Sequence, residues 1–117
     1  MNDDSRLDLS DYLCDSADEP EGFLRVCERL AVQAQDKAVR NVSKWGWQTP
    51  ETLALAIAEE CGEIAQALLK ARHEGQPLEA VQRECDDLAP LCFQLWYSVQ
   101  RARFFGREAQ LTLETPP

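Results

Sequence analysis

The sequence predicts an all-α protein, and three observations carry that expectation. Apolar residues recur at three- and four-residue intervals through most of the chain. Proline and glycine fall where helices start and stop. No segment shows the apolar–polar alternation of a half-buried strand. A length of 117 residues suffices for one domain with a thin core. Pairing between copies is expected to complete that core.

The elements follow in order. Residues 1–19 are rich in Asp and Ser and are expected to form a mobile acidic arm, with one amphipathic turn at Leu7, Leu9, Tyr12 and Leu13. A first helix should begin near Pro20, carry Phe23, Cys27, Leu30, Ala34 and Ala38 on one stripe, and fray at Lys44-Trp45-Gly46. Thr49-Pro50-Glu51 is a strong start signal: a capping hydroxyl, a proline at the first helical position, an acid in the first turn. The second helix should run from there to Arg72-His73, with Gly75 and Pro77 ending it. A third helix is expected from about Pro77 to Phe104, kinked or broken at Pro90, which removes a backbone donor. One helical domain then spans 20–106, and 107–117 form a short tail.

Composition narrows the function. The net charge of -9 argues against a nucleic-acid-binding surface, which needs clustered Lys and Arg. A nucleotide remains admissible, because a metal cation can bridge acidic side chains to phosphates. Cys14, Cys27, Cys61, Cys85 and Cys92 are odd in number and contain no CxxC pair. They read as small hydrophobes and reduced thiols of a cytoplasmic protein, not as a disulfide frame or zinc site. The acidic N-terminus has no apolar run, so no signal peptide and no membrane partner are expected.

The acids are the informative residues. At about 100° per residue, Glu59, Glu60 and Glu63 share one arc beside the apolar stripe of Leu53, Ile57, Ile64 and Leu68. Ala56 and Ala67 leave room above them. On the third helix Glu84 and Asp87 lie about 60° apart on the face of Leu88, Leu91 and Leu95, while Glu79 and Asp86 project away. A carboxylate removed from water costs several kcal/mol unless something compensates it, and this face of the third helix carries no Arg or Lys. A divalent cation is the expected compensation. Five carboxylates without nitrogen or sulfur partners suit Mg²⁺ or Mn²⁺. A di-iron bundle needs two Glu-x-x-His pairs, and His73 is the single histidine. It sits where a helix-end charge is favoured.

These residues form E-E-x-x-E at 59–63, a gap of twenty residues, and E-x-x-D at 84–87. The pattern resembles the all-α nucleoside triphosphate pyrophosphatases, the MazG-like superfamily, and 44–69 is similar to that family's entry into its motif helix. The resemblance spans about residues 25–100. It implies a helical bundle of that type, assembled as a homodimer or homotetramer. It implies hydrolysis of a nucleoside triphosphate to the monophosphate and pyrophosphate. Glu60, Glu63, Glu84 and Asp87 would be the Mg²⁺ ligands, and Glu59 would bind a further ion or orient the attacking water. Pro90, three residues after Asp87, departs from the uninterrupted helix of many members, and Leu91 stands where some dCTP- or dUTP-directed relatives carry a polar or aromatic residue. Alternatives are a phosphoribosyl-ATP pyrophosphohydrolase and a non-catalytic helical protein that binds metal or nucleotide.

On the substrate side, Trp45 and Trp47 flank Gly46 and are candidates to stack a nucleobase, or else to pack. Lys37, Lys44, Lys70 and Arg101 are candidate phosphate contacts, with Arg40, Arg103 and Arg107 beside them in the basic clusters.

Overall fold

The computed structural model describes residues 20–105, so the expected arm, Cys14 and the tail lie outside the described residues. Three helices occupy this span: α1 (Pro20–Trp45), α2 (Pro50–Glu74) and α3 (Glu79–Phe104). No described residue is in a strand, and the all-α expectation holds at that level.

Local chemistry sets the boundaries. Thr49 caps α2: its hydroxyl accepts from the Thr52 amide at 3.2 Å, and its carbonyl accepts from Leu53 at 3.1 Å. Gly75 ends α2 at φ 72°, a left-handed conformation that disfavours a side chain. There the amides of Gly75 and Gln76 both turn back to the Lys70 carbonyl. Gly46, at φ 79°, ends α1 in the same way, donating to the Val42 carbonyl at 2.8 Å. Pro90 neither breaks nor ends α3, which stays helical through it. The proline supplies no amide hydrogen to the helical ladder, yet its ring is fully buried. Packing around the ring offsets one missing bond.

Side-chain pairs fix the arrangement. Asn41 donates to Gln94 at 2.9 Å, Lys37 pairs with Asp87, and Ser98 donates to the Gln48 carbonyl at 3.1 Å. Numbers rise together along α1 and α3, which therefore run parallel. They oppose along α2 and α3, which run antiparallel. Helix α3 packs against both neighbours, while α1 and α2 do not meet. Pro20 lies 17 residues before Lys37 and Glu79 lies 8 before Asp87, so α1 overhangs the start of α3 by about 13 Å. The expected stripe on α1 is correspondingly split: Ala34 is buried, whereas Phe23 and Leu30 are exposed.

The core is small. Leu53, Ala34 and Pro90 are its buried apolar side chains among the described residues, while Leu55, Leu69, Phe93 and Trp96 are exposed. Cys61, Cys85 and Cys92 are free thiols and are exposed, not packed as small hydrophobes. They lie on the sides of α2 and α3 that none of the described helices covers. Among the described residues no helix is long and apolar enough to cross a membrane.

Candidate metal centre

The α2–α3 packing decides which acids meet. Leu53, Ile57 and Ile64 define the side of α2 turned to α3. From the centre of that side Glu60 lies about 40° away, Glu63 about 100° and Glu59 about 140°. Burial follows the same order: Glu60 is half-buried, and Glu63 and Glu59 are exposed. Glu84 and Asp87, one turn apart on α3, are half-buried opposite Glu60.

Glu60, Glu84 and Asp87 each present a carboxylate oxygen within 4.8 Å of the other two. Glu63 stands at the rim, close enough for its charge to act on Glu60. Glu59 projects from the outer side of α2, away from the three. Two of the four expected ligands from α3 and one from α2 thus converge.

Glu60 carries the electrostatic signature of the cluster. Its Oε1 is buried without a hydrogen-bond partner. Burial, then the charges of Glu63 and Asp87, then the neighbouring Glu84 carboxyl, push its pKa from 4.5 up to about 7. The carboxyl is therefore half-protonated near neutrality unless a cation joins it.

The donor set fits a hard divalent ion. Three carboxylates contribute oxygen only, as Mg²⁺ and Mn²⁺ prefer. Oxygens on opposite sides of an Mg²⁺ ion are about 4.2 Å apart, and carboxylate oxygens within 4.8 Å of one another are on that scale. The unpartnered Oε1 of Glu60 is a lone pair that such an ion would satisfy.

Lys37 is the compensation that the third helix lacks. Its ammonium reaches across from α1 to Asp87 Oδ1. Part of the balance for Glu84 and Asp87 therefore comes from a neighbouring helix. Lys37, a candidate phosphate contact, sits on the acid cluster.

The remaining candidates gather elsewhere. Trp47 packs on Tyr97 with ring centroids 5.5 Å apart, and the Arg101 guanidinium covers the Trp47 ring at 4.5 Å and Phe105 at 5.5 Å. Lys44 lies 5.0 Å over the exposed Trp45 ring. Both tryptophans thus have cations on their faces, an arrangement that supports packing. Lys70 is exposed on α2. Tyr97 lies ten residues beyond Asp87 on α3, about 15 Å along the helix. The aromatic group and the acids are therefore separate clusters on one helix.

Sequence reasoning missed Tyr97 and the Asn41–Gln94 pair. One signal was available. Lys37 and Asn41 are four apart on α1, and Asp87 and Gln94 are seven apart on α3, so complementary polar groups recur on matching sides of two helices.

Compared with protein families, curated proteins and solved structures, the chain shows no match.

Proposed function

We propose that this chain is an Mg²⁺-dependent nucleoside triphosphate pyrophosphohydrolase, with Mn²⁺ as an acceptable substitute. The observation that supports it most is the convergence of Glu60, Glu84 and Asp87 from two helices around a buried, unpartnered carboxylate oxygen. The E-E-x-x-E and E-x-x-D spacing adds the reaction class through the family it resembles.

In this reading Glu60, Glu84 and Asp87 hold the ion, and Glu63 at the rim adds negative charge. A bound cation would neutralise triphosphate charge and lower the pKa of a coordinated water. Glu59, exposed on the outer side of α2, would orient a water or hold a further ion once a second subunit covers that side. The net reaction adds water across the bond between the α- and β-phosphates. It releases monophosphate and pyrophosphate, with no covalent protein intermediate. Lys44, Lys70 and Arg101 are the exposed or half-exposed cations proposed for substrate contact. The uncovered apolar sides of α2 and α3 support assembly of the bundle from two or four copies.

The non-catalytic reading rests on the Lys37–Asp87 pair, which compensates one acid without any metal. One ammonium against four carboxylates leaves most of the charge unbalanced, and the hydrolase reading accounts for more of the site. Thermal melts separate a nucleotide site from a bare metal site, since a ligand bound only to the folded state raises its stability. Nucleoside triphosphates should raise the melting temperature with Mg²⁺ present and not with chelator. Stabilisation by Mg²⁺ alone, unchanged by any nucleotide, would sink the substrate assignment.

A further inference from the structure

We infer that Lys37 is an internal counter-cation of the acidic centre: its ammonium holds Asp87 when no divalent ion is bound and yields that carboxylate when one enters. The inference rests on the metal-centre reading and adds a residue and a competition to it.

The geometry supplies the competition. Lys37 approaches from α1 and donates to Oδ1 of Asp87, while Glu60 faces Asp87 and Glu84 from α2. The lysine and aspartate side chains are 38% and 43% exposed. Solvent screens a pair of that exposure, so it is weak enough to release. A lysine on a flexible four-carbon stem can swing away without moving its backbone. Release need not part the helices, because Asn41 and Gln94 bond at 2.9 Å about one turn further along α1, and Gln94 is buried. Asp36, the nearest alternative acid on α1, is engaged by Arg40 at 3.2 Å.

Charge gives the direction. With all four ionised, Glu60, Glu63, Glu84 and Asp87 carry four negative charges, and Lys37 returns one. A divalent ion returns two from a more central position, so it outcompetes the lysine for Asp87. The lysine in turn weakens cation binding, by occupying a ligand and by repulsion.

The test is Mn²⁺ titration of the full chain, read by the paramagnetic resonance signal of free Mn²⁺, for wild type, Lys37→Met and Lys37→Arg. Lys37→Met should bind Mn²⁺ about three- to tenfold more tightly than wild type, and Lys37→Arg should stay within about twofold. A purely structural lysine would give equal or weaker binding on removal, and that result overturns the inference. Lys37→Gln is the second variant. If Met and Gln variants both fail to fold, the pair is a structural tie and the inference is likewise overturned. If wild type and all folded variants bind no Mn²⁺, the metal-centre reading itself falls, an outcome distinct from unchanged affinity in Lys37→Met.

Discussion

The raised pKa of Glu60 makes stability depend on pH in a specific sense. A carboxyl at about 7 in the fold and 4.5 ordinarily binds its proton more tightly when folded. Its extra stabilisation is therefore complete below pH 4.5 and is lost as pH rises through 7. At about 1.4 kcal/mol per pH unit the ceiling is about 3 kcal/mol. Glu60 stands at the edge of solvent, and screening reduces this to about 1–2 kcal/mol. For a domain of this size that is a fall in melting temperature of about 5–15 °C between pH 5 and pH 8. The assay is thermal unfolding followed by circular dichroism, in chelator and reductant, for wild type and Glu60→Gln. The variant keeps every other titration and should lose most of the slope. A wild type that is flat over this range, or a Glu60→Gln chain with the same slope, refutes the argument that burial and neighbouring carboxylates load Glu60 with a proton.

Three further outcomes are expected. Leu53→Ala removes a fully buried side chain and should cost about 2–4 kcal/mol in urea denaturation, a large share for so small a core. Gly75→Ala forces a side chain into φ 72° and should cost about 1 kcal/mol. Gly62 tests assembly: a Cβ there meets nothing within 4 Å in one chain, so Gly62→Ala should stabilise an isolated chain by about 1 kcal/mol. If copies pack on the side of α2 that carries Gly62 and the exposed Leu55 and Leu69, the same substitution should instead destabilise. Sedimentation should then show Leu55→Glu shifting wild-type oligomers toward the single-chain mass.

Local signals made most of the helix map legible. Thr49-Pro50 and Gly75 mark α2 because caps depend on a few adjacent residues, and the structure places α2 between those same residues. Pro90 was legible as a missing donor, a local fact, but the packing that lets the helix run through it is not local. The inward placement of Glu60, Glu84 and Asp87 was legible from periodicity, because a 3.6-residue repeat fixes which residues share a side. The arc holding Glu59 and Glu63 proved wider than the side of α2 that α3 covers. Lys37 against Asp87 was not legible as a pair, because the register between two helices separated by fifty residues is set by tertiary packing. The exposed cysteines have the same origin: an apolar pattern marks a side able to be buried, and none of the described helices covers it.

The most direct test of the central claim is phosphorus resonance of nucleoside triphosphates incubated with the full chain and Mg²⁺, with Glu84→Gln alongside. The account predicts monophosphate and pyrophosphate appearing in equal amounts, with no diphosphate, in the wild type and neither product in the variant or in chelator. A folded, metal-loaded chain that leaves every triphosphate intact, or that releases diphosphate and orthophosphate, would contradict it.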